Sequence, residues 1–127
     1  MPSHLLLDTH IALWWFAGNT RLSAAVREEI SRSVCWLSAV SIWEVAIKFR
    51  LGKLPVAPGI LLSAAASAEM RLLPIMPEHA AATAELTAFH HDPFDRLLIA
   101  QARQEHLTLL TADQTLLAYG ANVRLAG

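Results

Sequence analysis

An α/β fold is predicted for this chain: one domain over residues 1–127, with a central parallel sheet of four to five short strands and helices on both faces. Three observations predict it. Short apolar runs alternate with helix-forming segments along the whole chain, the pattern of βαβ units. The gaps between those runs exceed the roughly dozen residues that a parallel crossover needs. Finally, 127 residues with 54% apolar and 17% charged side chains can build a core, and they fall outside the disordered class, which needs low hydrophobicity and high charge.

The elements follow in order. Leu5-Leu6-Leu7 reads as a buried strand, and residues 9–17 as a helix ending near Gly18-Asn19. Ser23 is placed to N-cap a helix over 24–32, because its hydroxyl can accept from an unpaired first-turn amide. Val34 to Leu37 reads as the second strand. Ala39 to Leu51 reads as a helix closed by Gly52, which tolerates the left-handed backbone of a C-terminal stop. After Pro55 and Pro58 a helix is expected from about Gly59 to Glu69. Leu72 to Ile75 is a third strand, and Pro77 starts a helix expected to reach about Phe89. Pro93 starts another to about His106, Leu107 to Leu110 is the fourth strand, and Asp113 to Ala118 is a last short helix. Val123 to Leu125 is a candidate fifth strand.

In an open parallel sheet every strand's carboxyl end lies on one edge, where ligand crevices form. Four acids map there. Asp8 directly follows the first strand, and Glu44 lies on the helix leaving the second. Asp95 is in the first turn after Pro93, and Asp113 follows the fourth strand after Thr111-Ala112. Glu44 sits among Ile42, Trp43, Val45, Ala46 and Ile47, so its helix is apolar on nearly every side and is expected to be largely buried. A buried carboxylate needs a counter-charge or a metal. Each acid also has a local reading. Asp8 and Asp113 can cap helices, Glu44 can pair with Lys48 at i, i+4, and Asp95 falls at the third helical position behind the N-cap Asp92.

Clustered carboxylates repel one another. Hard divalent cations with oxygen ligands remove that penalty and can activate water for phosphodiester hydrolysis. Such an ion would reconcile a polyanionic substrate with a chain of net charge −1, from 10 Lys and Arg against 11 Asp and Glu. Near-neutral charge argues against a protein that grips nucleic acid through a large basic surface. Zinc is not expected, since the six histidines show no His-Glu-x-x-His spacing and the single Cys35 has no partner thiol. The lone cysteine fits a reducing cytoplasm. The opening Met1 to Asp8 lacks the basic region of a signal peptide, and the longest uncharged stretch is too short and too proline-rich to span a bilayer.

Four segments carry a family resemblance: Leu5-Leu6-Leu7-Asp8-Thr9-His10, Ser38-Ala39-Val40-Ser41-Ile42-Trp43-Glu44, His91-Asp92-Pro93-Phe94-Asp95-Arg96-Leu97-Leu98-Ile99-Ala100-Gln101-Ala102, and Leu110-Thr111-Ala112-Asp113. In order and spacing the chain resembles PIN-domain proteins, and more closely the VapC-type toxin ribonucleases of type II toxin–antitoxin pairs. The resemblance implies that Asp8, Glu44, Asp95 and Asp113 are the catalytic, metal-binding acids, with Thr111 as an assisting hydroxyl. It implies Mg²⁺ or Mn²⁺ as cofactor, single-strand-competent RNA as substrate, a homodimer and a small cognate antitoxin. A catalytically silent RNA- or protein-binding module on the same fold is the alternative; holding mutually repelling acids together weighs against it. A haloacid-dehalogenase-like phosphatase fits poorly, because Asp8-Thr9-His10 lacks that family's second aspartate.

Around this set, Asp92 is expected to be a cap. Arg96 is either a phosphate contact, a brace or a solvated arginine. Lys48, Arg50 and Lys53 are either a small basic group that steers RNA or a solvated helix end. His10 is expected on a loop or helix surface, within possible reach of substrate. Trp14-Trp15-Phe16, with Ile11 and Leu13, make the first helix apolar all round, and we expect part of it to meet another chain.

Overall fold

Leu5, Leu6 and Leu7 are almost wholly shielded from solvent, and a strand buried on both faces is what a central position in a parallel sheet requires. The strand His4–Leu7 (β1) occupies that centre. The structure is a computed structural model that describes residues 2–89 and 91–126. In chain order its further elements are Thr9–Ala17 (α1), Ala24–Arg32 (α2), Val34–Ser38 (β2), Ala39–Arg50 (α3), Pro58–Ser67 (α4), Arg71–Leu73 (β3), Pro77–Ala82 (α5), a 3₁₀ turn Thr83–Glu85, Pro93–Glu105 (α6), Thr108–Thr111 (β4), a 3₁₀ segment Gln114–Tyr119 and Val123–Leu125 (β5). The five strands form one parallel sheet in the order β3-β2-β1-β4-β5.

Alternation along β1 divides the core. Leu5 and Leu7 face Ile11, Ala12, Val26, Ile30 and Leu61 from α1, α2 and α4. Leu6 faces the other side, with Leu98, Ile99 and Ala102 of α6. The chain moves outward from β1 through β2 to β3, then returns to the opposite flank of β1 as β4. This order reverses between β1 and β4, and at such a switch point the loops leaving two adjacent strands diverge and open a crevice. Asp8 and Asp113 leave the sheet there.

Three expectations need correction. The helix from Pro77 does not reach Phe89: it is α-helical only to Ala82 and ends in the 3₁₀ turn at Glu85. The cause is distant in sequence. The Arg96 guanidinium donates to the carbonyls of Thr83, Leu86 and Thr87 and to the Tyr119 hydroxyl, tying this segment to α6 in a course that is extended at Leu86. Arg96 is thus a brace. Arg96→Ala is expected to lower stability by about 2 kcal/mol, the scale of hydrogen bonds to a charged group. Denaturant unfolding would measure the loss, and amide exchange should quicken selectively at residues 83–87.

The last short helix is 3₁₀ rather than α. And α3 is not buried on nearly every side. It buries Val40, Ser41, Glu44 and Val45 while leaving Trp43 52% and Phe49 44% exposed, so polar groups point inward and rings outward. Among the described residues no helix is long and apolar enough to cross a membrane.

A buried polar chain ties α6 to the start of α3. Val40 N–H donates to the Ser38 hydroxyl, which caps α3 and itself donates to Gln101 Oε1 at 2.5 Å. The Gln101 amide nitrogen lies 3.3 Å from His79 Nδ1 and donates to the Pro74 carbonyl. Since His79 Nδ1 accepts from Met76 N–H, its Nε2 carries the proton and donates to Glu105 at 2.9 Å. These residues bury their polar atoms in mutual hydrogen bonds, and that fixes the end of β2 from which the helix bearing Glu44 departs.

Candidate active site

A single cavity of about 410 Å³ opens at the carboxyl edge of the sheet, lined by Asp8, His10, Trp14, Glu44, Lys48, Asp92, Asp95, Ala112 and Asp113. All four acids singled out from the sequence line it. Asp8 and Glu44 are buried, at 7% and 5% exposure; Asp95 and Asp113 are half-buried. Five carboxyl groups thus share one crevice with a single ammonium.

Each acid is held by its own neighbours. Asp8 Oδ1 accepts from His10 N–H and caps α1, while Oδ2 accepts from the Thr111 hydroxyl at 2.6 Å. Thr111 in turn accepts from Asp113 N–H at 3.1 Å, so one side chain at the end of β4 links two of the acids. Glu44 Oε1 lies 2.7 Å from the Thr9 hydroxyl, which is 2.8 Å from the Ser41 hydroxyl. A carboxylate only accepts, so Thr9 donates to Glu44 and accepts the hydrogen bond of the Ser41 hydroxyl. Glu44 Oε2 pairs with Lys48 Nζ at 2.5 Å. Asp92 Oδ1 accepts from Phe94 N–H and Asp95 N–H, the expected cap. Asp113 Oδ1 accepts from Thr115 N–H and its hydroxyl. The capping and ion-pair readings are therefore all realised, and the same acids converge on the cavity.

Burial pushes the Asp8 carboxyl above its ordinary value, against the hydrogen bonds from Thr111 and His10 N–H. At Lys48 burial works downward, but its hydrogen bond to Glu44 and the charges of Glu44, Asp92 and Asp95 outweigh it, so the ammonium is held above its ordinary value. The basic group read at residues 48–53 is split: Lys48 turns into the acidic cavity, whereas Arg50 and Lys53 are exposed. Cys35 lies elsewhere, and its thiol is pushed up to about 11 by burial and Glu29, which keeps it protonated. His90, one of the six histidines, lies outside the described residues.

The donor set fits a hard divalent cation. The cavity offers carboxylate oxygens, excess negative charge and volume for water, and Mg²⁺ prefers one or two carboxylates with waters completing its shell. Among the described residues no three Asp, Glu, His or Cys groups stand close enough together to hold a metal ion as the side chains lie. The acids share the crevice, with Lys48 and the threonines holding individual oxygens. Thr111→Val is expected to weaken divalent-metal binding about 10- to 100-fold, the usual cost of losing a partner that orients a ligand. Titration calorimetry with Mn²⁺ would test this.

Sequence reasoning did not assign a site role to Thr9 or Trp14. Thr9 had a signal, since a hydroxyl beside Asp8 at the end of a buried strand faces the same edge. Trp14 had only its one-turn spacing from His10.

The PIN domain family model matches residues 5–122. Ribonuclease VapC22 of Mycobacterium tuberculosis is 34% identical over 115 residues, covering 88% of each chain. Among solved structures, a chain of DNA-bound VapBC from Salmonella typhimurium superposes with a TM-score of 0.72 at 16% identity, covering 100% of both chains. A chain of Rickettsia felis VapBC2, bound to a promoter DNA fragment, gives 0.68 at 14% identity and 96% coverage of both. At those identities the likeness is one of fold.

Proposed function

Since this chain belongs to the PIN-domain family, with a family match over residues 5–122, we propose that it is the toxin of a type II toxin–antitoxin pair, a metal-dependent endoribonuclease. The observation that carries the reading is the convergence of Asp8, Glu44, Asp95 and Asp113 on one cavity at the sheet's switch point. The ribonuclease relative, matched over most of both chains, supports RNA as the substrate. The VapBC complexes support a small antitoxin as partner.

Asp8, Glu44, Asp95 and Asp113 would hold Mg²⁺ or Mn²⁺, which when bound supplies a Lewis acid for the phosphate and lowers the pKa of attacking water. The residues themselves do the positioning. Thr111 fixes one Asp8 oxygen and the α1 cap fixes the other, so that carboxylate has one orientation. Thr9, with Ser41 behind it, does the same for one oxygen of Glu44. Asp95, at the N-terminus of α6, enters from a third element. A bound cation would offset part of the negative charge that these acids set against a phosphate.

Purified protein should cut RNA in Mg²⁺ or Mn²⁺ and stop when a chelator is added. RNA binding that persists without cleavage and ignores chelator would sink the enzymatic reading in favour of a silent binding module. We place the protein in the cytoplasm as a homodimer. Trp15 and Phe16 of α1 are only partly buried, and Ile60 and Leu62 of α4 are exposed, so apolar surface remains for a second copy. Sedimentation without antitoxin at micromolar concentration should give twice the monomer mass; a strict monomer would exclude the dimer.

A further inference from the structure

Two rings on the rim of the acidic cavity take no part in holding its carboxylates. His10 and Trp14, one helical turn apart on α1, line that cavity alongside the acids. Their rings stack, 6.2 Å between centres with 27° between planes. On the indole, the Arg21 guanidinium carbon lies 5.5 Å from the ring centre. The indole thus meets both a cation and an imidazole, and the tier is Arg21, Trp14 and His10. It ends on His10, which is exposed, while Trp14 is half-buried beneath it.

Planar π surfaces of this kind accept nucleobases with little regard to sequence, because every base has a π face, and arginine adds a cation–π share. A base within a duplex already spends both faces on its neighbours, so only an unpaired nucleotide can join the stack. An apolar peptide side chain has a better-suited surface elsewhere, the groove lined by Ile42, Trp43, Leu62, Leu72 and Pro74. We infer that His10 and Trp14 form a stacking subsite for the base of an unpaired nucleotide flanking the phosphate at the carboxylates, with Arg21 backing the indole. This rests on reading the cavity as a ribonuclease site. It makes the protein selective for single strands by contact, not only by access.

The test uses Asp8→Asn protein, which is expected to bind RNA without cutting it; in that background the His10 charge no longer acts on an Asp8 carboxylate. Affinity for a labelled single-stranded oligoribonucleotide and for a duplex of the same sequence is measured by fluorescence anisotropy. His10→Ala should weaken single-strand binding about tenfold and leave duplex binding unchanged, and His10→Phe should restore it. An abasic nucleotide moved along the strand should cancel the His10→Ala effect at one position only. His10 is exposed, so these variants retain the core, which a thermal melt checks; Trp14→Leu is read only if it melts normally. An unchanged single-strand preference in His10→Ala, from a parent that cuts RNA normally, overturns the subsite alone. A variant that loses antitoxin affinity and keeps RNA affinity assigns the stack to the protein partner and overturns it too. A parent that neither binds nor cuts RNA overturns both readings.

Discussion

Replacing Asp8 with Asn is expected to abolish RNA cleavage and, in the same protein, to stabilise the metal-free fold. The two effects have one origin. Asp8 is buried at the end of β1, with its carboxyl raised above the ordinary 3.8 by burial. The folded state therefore holds that proton more tightly than the unfolded chain does. Asp8's contribution to stability is fully present below pH 3.8 and is lost as pH rises through the raised value, because the charge must then be kept away from water. Asn carries no charge at any pH. It still offers an oxygen to His10 N–H, the bond that caps α1, and asparagine caps as well as aspartate. Without divalent metal, Asp8→Asn should be more stable than the parent at pH 7 by about 1 kcal/mol, the low end of what an incompletely compensated buried polar group costs. The gap should close as pH falls toward 4. Denaturant unfolding in chelator at several pH values measures it. With Mn²⁺ present the order should reverse, since the parent, with its full set of acids, gains more binding energy. Cleavage should fall by more than the roughly 10- to 100-fold typical of an orienting partner, because a charged ligand itself is gone. An Asp8→Asn protein that cuts RNA as fast as the parent, or that is less stable at every pH, would contradict this account.

Much of this site was legible because its pieces are local. Leu5-Leu6-Leu7 followed by Asp8 is a buried strand with a cap, and Asp92-Pro93 is a cap followed by a proline that suits the first helical position. The strand–helix alternation then places the acids at one sheet edge without knowledge of any contact. What the sequence hid is set by partners far along the chain. The segment 77–89 carries the helix formers Ala80, Ala81, Ala82, Ala84 and Glu85, yet Arg96 ties its carbonyls to α6. Ser38 and Gln101 meet across 63 positions, and neither residue announces a buried partner. Trp43 misleads by composition: a helix apolar on nearly every side suggests that its ring is inside, whereas it is exposed and Glu44 is buried as expected. The reason is Thr9, whose hydroxyl gives Glu44 a partner on the inner face. Trp14 reads as interface surface until the fold sets Arg21 against one part of it and the cavity against another.

Lys48→Met is expected to cost the metal-free protein much of its stability while tightening its hold on divalent ions. Lys48 Nζ sits 2.5 Å from Glu44 Oε2, with Glu44 6% and Lys48 29% exposed at the side chain. Removing one partner of a fully buried pair costs about 3–5 kcal/mol. Lys48 keeps partial access to water, which screens the interaction, so about 2 kcal/mol is the better figure here. In a domain of this size that corresponds to a melting temperature lower by roughly 5–10 °C. Methionine keeps the length of the apolar stem, so the loss reports the charge rather than packing. Yet the ammonium and a divalent cation answer the same need, the excess charge around Glu44. With the ammonium gone, the ion no longer competes for Glu44, and Mn²⁺ affinity by calorimetry should rise about tenfold, equivalent to about 1.4 kcal/mol. Melting in saturating Mn²⁺ should then recover most of the deficit, and Lys48→Arg, which keeps the charge, should resemble the parent in chelator. An equal deficit with and without Mn²⁺, together with unchanged affinity, would mean that Lys48 is an ordinary structural ion pair. Recovery by metal alone would instead show that one oxygen of Glu44 is shared in turn by a resident cation and an incoming one, so that taking up the ion includes the displacement of Lys48.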